Sequence, residues 1–432
     1  MQTTRPAIGF IIVTLLLDTL GFGLIIPVAP RLVQELQGWS EQQAAPYVGL
    51  LSAVYAAMQF LFAPVLGSLS DHFGRRPVIL VSLFGSGLDY FAMALAPNLW
   101  LLFITRAING LSGASFSVAN AYIADVTSPS RRAAAFGMVG AAFGVGFMLG
   151  PLVGGVLGSV DIRLPFVAAG AVTLLNWLYG YFVLPESLSA ENRSRFTIRR
   201  ANPAAVFAGL GRHRLVIGLA VSFFFFNVAQ FGLHATWVLY TGLRYGWSAF
   251  DVGFSLFMVG VCAAVVQAGL AGRIIGAIGE GRAVLIGLGI ATAAFVGYGT
   301  ATQGWMILVI IALGSLGGIA QPAAQSLITR TVGPSEQGRT QGALAGLQNI
   351  ANIAGPIIGT TVFAYFTSDR ALVPVPGASF LLGAVLCLLG LVAAWRTLTT
   401  YAPPPMPSQA TAPAELAEQS MARRELNDQA RD

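Results

Sequence analysis

The chain has 432 residues, of which 55% are hydrophobic and only 10% charged. A soluble globular protein carries roughly 25% charged residues, so the body of this molecule is neither a soluble enzyme nor a soluble binding domain. The formal charge is +6, all 24 basic residues are arginine, and they cluster in loops beside apolar runs, so the basic balance implies no nucleic-acid partner.

Apolar runs of about 20 residues can cross the bilayer core as helices. The sequence holds twelve, at roughly 8–30, 46–69, 77–96, 99–123, 133–158, 165–184, 215–241, 251–275, 283–301, 305–328, 340–366 and 377–396. The first is too long for a cleavable signal and contains Asp18, so it reads as a retained span. Asp18 interrupts Ile8–Val28, Asp89 interrupts Val78–Pro97, and Arg106 falls near the middle of Leu99–Val118. An ionised side chain at the centre of a membrane helix costs roughly 2.5–3.5 kcal/mol on insertion scales, so such residues face a protein interior or a water-filled pathway. Three of them in the first quarter of the chain point to a conduit for something polar, with protons the natural candidate. A shielded carboxylate can take a proton from one side and release it to the other. Arg106 keeps its charge and can only balance the acids. The alternative is a set of polar residues held by neighbouring helices, with Arg106 as an anchor.

Between the second and third runs lies Gly67–Arg76, GSLSDHFGRR. Gly67 and Gly74 permit a tight turn. Asp71 suits a helix N-terminus, where the dipole favours an anion, and Arg75 and Arg76 can pair with carboxylates or anionic headgroups. A plain charged turn explains the arginines but not this spacing. Arg131 and Arg132 occupy the next loop on the same side. The fifth run carries Gly140, Gly144, Gly146, Gly150, Pro151, Gly154 and Gly155, a series that can kink a helix and thin its contact with another. Gly150-Pro151 at its centre suits a gate or hinge, with close packing as the alternative.

The longest internal loop, about Pro185–Arg214, divides the chain into residues 1–184 and 215–396. In the seventh run Asn227, Gln230 and His234 share one helix face, with Phe223 and Phe226 nearby. Aromatic surface with a few amides suits a flat, partly polar drug, and interhelical hydrogen bonding explains it equally well. Gln321, Gln325, Asn349 and Asn352 offer further polar surface for a cavity. The segment 397–432 reads as a disordered cytoplasmic tail. His72, His213 and His234 are scattered, so no metal site is expected. There is no lysine to build a phosphate-binding loop, and no nucleophile–base pair stands out. Cys262 and Cys387 sit in apolar segments as packing residues. No cofactor and no enzymatic activity are expected.

Loop charge sets the orientation. With a cytoplasmic N-terminus, only Arg31, Arg163, Arg244 and Arg370 fall outside. Apart from these four and Arg106, the other nineteen of the 24 lie on the cytoplasmic side. Both termini are therefore expected in the cytoplasm and the chain in the inner membrane. The halves also repeat. Gly67-Ser68-Leu69-Ser70-Asp71-His72-Phe73-Gly74 has a degraded copy in Gly272-Arg273-Ile274-Ile275-Gly276-Ala277-Ile278-Gly279. Gly150-Pro151-Leu152-Val153-Gly154 has one in Gly355-Pro356-Ile357-Ile358-Gly359. Both lie at a spacing of 205 (67 to 272, 150 to 355). Repeated halves imply a site near the midplane between them, opened alternately to each side.

The Gly67–Arg76 segment resembles the loop signature of the major facilitator superfamily. Arg106 with Gly110 and Gly113 resembles the fourth-helix signature of its proton-coupled members, and the fifth-run glycines resemble that of its antiporters. More closely, Asp18-Thr19-Leu20-Gly21-Phe22-Gly23-Leu24-Ile25-Ile26-Pro27-Val28 is similar to the first helix of the tetracycline efflux proteins, as are Leu88-Asp89-Tyr90 and Ala121-Tyr122-Ile123-Ala124-Asp125. The likeness is dense over residues 10–160 and thinner beyond. It implies exchange of a drug, arriving in that family as a metal chelate, for protons. The family's acid in the ninth helix is absent: Ala294 stands there, and Thr241-Gly242-Leu243 replaces an acidic pair before Arg244.

The sequence thus predicts an all-α membrane protein with twelve transmembrane helices in two pseudo-symmetric six-helix bundles. Its predicted function is proton-driven export of an amphipathic drug, tetracycline-like compounds first, as a monomer. Asp18, Asp89 and Arg106 would couple protons. Gly67, Asp71, Gly74, Arg75, Arg131, Arg132, Gly150 and Pro151 would gate. Phe223, Asn227, Gln230, His234, Gln321, Gln325, Asn349 and Asn352 would bind substrate. The alternatives are export of another lipophilic drug or metabolite, which the missing acid favours, and a receptor or scaffold without transport.

Overall fold

The computed structural model describes residues 5–113, 115–128, 131–189, 191, 193–194, 213–333 and 336–401. Most of the central loop and all but the start of the expected tail lie outside these. Among the described residues twelve helical segments are long and apolar enough to cross a membrane. They are span 1 (Ile11–Gln37), span 2 (Glu41–Phe73), span 3 (Arg75–Ala94), span 4 (Leu99–Val126), span 5 (Ala134–Val160), span 6 (Leu164–Val183), span 7 (Arg214–Tyr245), span 8 (Ala249–Ile278), span 9 (Glu280–Thr300), span 10 (Gly304–Thr331), span 11 (Gln337–Thr367) and span 12 (Ala378–Thr400). Each matches one expected run.

Several spans outlast their apolar runs, because polar ends are held by caps rather than by lipid. Span 2 starts five residues before its expected onset at 46 because Ser40 and Gln43 form a reciprocal capping box. Span 8 starts the same way on Ser248 and Asp251. Just before each box a glycine turns left-handed, Gly38 at φ 65° and Gly246 at φ 66°, a conformation that costs other residues a steric penalty. Gly38-Trp39-Ser40 and Gly246-Trp247-Ser248 are thus one turn used twice, a repeat the sequence reading did not register. Gly74 (φ 107°, ψ 158°) and Gly279 (φ 82°, ψ 156°) repeat at the loop end opposite. Span 1 breaks at a turn over 26–28, between the helices Arg5–Ile25 and Ala29–Gln37, and two spans of the second half also depart from regular α-helix. Span 8 contains a π turn at Val266–Leu270 and span 10 a 3-10 turn at Ser315–Ile319. They meet where Gln267 Nε2 donates to Gly318 O at 3.2 Å.

Helix packing repeats with the sequence. Span 1 packs on spans 5 and 6, and span 3 on span 6. In the second half span 7 packs on spans 11 and 12, and span 9 on span 12. The halves meet through spans 5 and 8, spans 2 and 11, and spans 2 and 7. The buried core shows where. One cluster, around Leu15, Tyr122 and Ile123, belongs to the first half. Another, around Leu219, Leu288 and Leu327, belongs to the second. The largest mixes both halves, with Leu24, Val28 and Val48 against Trp237, Tyr240 and Val252. All of these shared residues lie toward the 38–40 and 246–248 turns. Among the described residues the two bundles are therefore fused at that end and separate at the end carrying the 74 and 279 turns.

Candidate functional site

A cavity of about 570 Å³ lies between the halves, beneath the fused end. Its polar lining includes Asp18, Tyr55, Gln59 and Arg106 from the first half and His234 and Asn352 from the second; aromatic rings of Phe22, Phe143, Phe147, Phe231 and Trp237 form much of the rest. Two glycines on span 4 explain how Arg106 reaches it. A Cβ on Gly110 would strike Tyr55 O and Met58, and one on Gly113 would lie 2.9 Å from Tyr55 Oη. With bare backbone at both positions, span 4 presses against span 2 and Gln59 Nε2 donates to Gly113 O at 3.3 Å. Tyr55 and Tyr90 are each within electrostatic reach of both Asp18 and Arg106.

Asp89 does not line the cavity. It is 4% exposed, inside the first bundle, and within electrostatic reach of Arg106. Asn109 lies beside it, yet both Asp89 carboxyl oxygens and Asn109 Nδ2 lack a hydrogen bond of acceptable geometry. Of the eight residues expected to bind substrate, His234 and Asn352 line the cavity. Phe223 packs edge-to-face on Phe226 at the second half's core. Asn227, Gln230 and Asn349 are half-buried outside the lining, and Gln321 and Gln325 are exposed. Tyr55, Gln59 and the phenylalanines of span 5 were missed. The Gly110–Gly113 spacing was the available signal for the first two.

The fused end is closed by glycines against prolines inside helices, twice. A Cβ on Gly49 of span 2 would strike Thr360 Oγ1 and lie 2.8 Å from Pro356 O. A Cβ on Gly253 of span 8 would strike Pro151 O and lie 3.1 Å from Gly155 Cα. Pro151 and Pro356 are the repeat-related prolines, and Gly155 and Thr360 share their spacing. Gly150 packs against Gly23 and Leu20 O of span 1. Gly150-Pro151 therefore sits where spans 1, 5 and 8 converge. Arg31 adds a polar tie across the halves, its Nη2 donating to Trp247 O. At the other end a Cβ on Gly137, Gly140, Gly144 or Gly272 would meet nothing within 4 Å.

At that open end the expected gating residues knit the first half to itself. Arg75 pairs with Asp71 at 2.5 Å and Asp125 at 3.1 Å, and Nη1 donates to Ser70 Oγ at 2.6 Å. The Glu186 carboxylate accepts from the backbone N–H groups of Arg75 (2.8 Å) and Arg76 (3.2 Å). A Cβ on Gly74 would strike that carboxylate, which adds to the demand its φ already makes for glycine. Gly67 faces open space. Arg132 donates to Ala124 O at 3.2 Å, and Arg131 is exposed. Among the described residues no group of three metal-binding side chains occurs.

Two homologous bundles around a cavity sealed at one end define a membrane transporter. The Major Facilitator Superfamily model matches residues 11–356 and 270–427, and the chain belongs to that family. It is 39% identical to the class C tetracycline resistance protein of Escherichia coli, over 92% of this chain and 99% of that protein. It is 36% identical to the class B protein of Escherichia coli, over 82% and 87%. Among solved structures, the human organic anion transporter MFSD10 (TETRAN) matches with a TM-score of 0.65 and 25% identity, covering 90% of this chain and 99% of that one. A bacterial homologue of the human lysosomal transporter Spinster, inward-facing and unoccupied, shares the fold with a TM-score of 0.72 at 17% identity, over 92% and 98%.

Proposed function

We propose that this protein is a proton-coupled antiporter that exports an amphipathic, tetracycline-like drug across the inner membrane by alternating access. The observation that carries the reading is a cavity walled by both halves, lined by both Asp18 and Arg106 and, among the described residues, sealed at one end only. Asp18, exposed to the cavity, exchanges protons in competition with cargo. Arg106, in the same lining, and Asp89, inside the first bundle, set the field in which it does so. His234 and Asn352 meet the cargo's polar edge while the aromatic rings hold its flat faces. Tetracycline resistance proteins at 36–39% identity support the cargo class. The loop arginines support cytoplasmic termini, and hence a cavity open to the cytoplasm in this state. The reading requires no resident cofactor and no partner subunit.

A second reading, export of another lipophilic compound, is favoured by position 294. Ala294 packs on Gly314 of span 10, outside the cavity lining, and among the described residues the second half's wall carries no carboxylate. Inverted vesicles with an imposed proton gradient separate the two. Gradient-driven tetracycline uptake that fails in Asp18→Asn supports the first. Proton efflux triggered by other lipophilic drugs but not by tetracycline supports the second. Binding without flux for every compound would leave only a receptor.

A further inference from the structure

The open end carries a second ion pair that mirrors the first with its charges exchanged. Arg75 is the first residue of the span 3 helix, and Asp125 lies in the last turn of span 4. The positions 205 further on are Glu280, the first residue of span 9, and Arg330, in the last turn of span 10. Glu280 Oε2 and Arg330 Nη1 are 2.6 Å apart, both part-buried, and Ser326 Oγ donates to Glu280 Oε1 at 2.5 Å. The turns before them, Gly74 and Gly279, share one backbone conformation.

The exchange matters because helix ends are themselves charged. The partial charge is positive at an N-terminus and negative at a C-terminus, so an acid belongs at the start and a base at the end. Glu280 and Arg330 obey this at both ends. Arg75 and Asp125 violate it at both ends. The first half compensates with borrowed anions: Asp71 on the guanidinium, and Glu186, from the segment after span 6, on the first two N–H groups of span 3. That segment is strapped on further by Ser194 N donating to Asp71 O at 3.0 Å. In the second half the charges of the pair already suit both helix ends, and nothing lies within 4 Å of a Cβ on Gly279.

We propose that Glu280–Arg330, with Ser326, is a permanent clasp that holds spans 9 and 10 as one rigid unit and takes no share in the gating expected of the Arg75–Asp125 latch. Glu280, Arg330 and Ser326 are positioning residues. They hold the second half's shape and do not set which end is open.

The test requires no cargo. In a Cys262→Ala/Cys387→Ala background, single cysteines at Gly137 (span 5) and Ala264 (span 8) report the open end through their alkylation rate in proteoliposomes. Asp125→Asn, and Asp71→Asn as a second latch variant, should change that rate by about fivefold or more, the range that a coupling of this kind spans. Glu280→Gln and Arg330→Gln should leave it within about twofold while lowering the thermal unfolding midpoint. The double exchange Glu280→Arg/Arg330→Glu, which keeps the pair but opposes both dipoles, should melt between the wild type and the single variants. Alkylation shifts in Glu280→Gln as large as those in Asp125→Asn would overturn the proposal, as would an exchanged pair that melts with the wild type.

Discussion

Replacing Gly49 or Gly253 with alanine tests whether the fused end is held by backbone contact. Each glycine lies against the carbonyl of a helix-interior proline on the opposite half, so a methyl group must push the halves apart. Overpacking by a methyl group in a tight interface costs about 1–3 kcal/mol. Because the contact exists only while this end is shut, that cost falls on one conformer and shifts the populations roughly 5- to 150-fold. The two sites differ in what can yield. At Gly49 one obstacle is Thr360 Oγ1, so Thr360→Ala should recover part of the loss. At Gly253 the obstacles are Pro151 O and the Gly155 backbone, and no side-chain change should rescue it. The assay is alkylation of Gly137→Cys at the other end, which should slow in both variants and recover in Gly49→Ala/Thr360→Ala alone. Unchanged alkylation in both glycine variants would refute the claim that these contacts seal the cavity.

Asp18→Asn should abolish gradient-driven transport while leaving the unfolding temperature within a few degrees of the wild type, read by vesicle uptake and thermal melting. Asp89→Asn should also cut coupled flux and lower the melting temperature, because the buried Arg106 loses the carboxylate within its electrostatic reach and removing one partner of a buried pair is destabilising; an unchanged melting temperature would contradict that coupling. Arg31→Gln removes the donor to Trp247 O across the fused end. A charge-assisted bond of about 1.5–3 kcal/mol is at stake, so alkylation of Gly137→Cys should slow by roughly tenfold or more.

The sequence made the spans, the repeat, the loop motif and Asp18 legible, because charge in an apolar run is rare enough to be read residue by residue. It did not make the cavity lining legible. A span such as Arg214–Tyr245 is apolar on nearly every face, so periodicity cannot separate a lipid-facing Phe from a cavity-facing one. Asn227 and Gln230 shared a face with His234 but lie outside the lining. Gly49 and Gly253 looked like two among 51 glycines, since their role depends on what stands opposite. The mirrored ion pair was hidden for a related reason: sequence comparison scores an Arg against a Glu as a mismatch, although the pair is preserved.

The helix-interior prolines reach further than the seal they help to make. A proline has no N–H to offer the carbonyl four residues behind it. Pro322 does this to Gly318, whose oxygen is taken by the Gln267 amide. Pro151 and Pro356 do it to Phe147 and Asn352, and both of those residues line the chamber. Two residues of the lining, one from each half, thus carry a main-chain carbonyl without its usual helical N–H partner, a feature that no mutation of Phe147 or Asn352 themselves can delete. Substitutions at these two positions can trade ring and amide freely, while the backbone gap set by the prolines stays fixed.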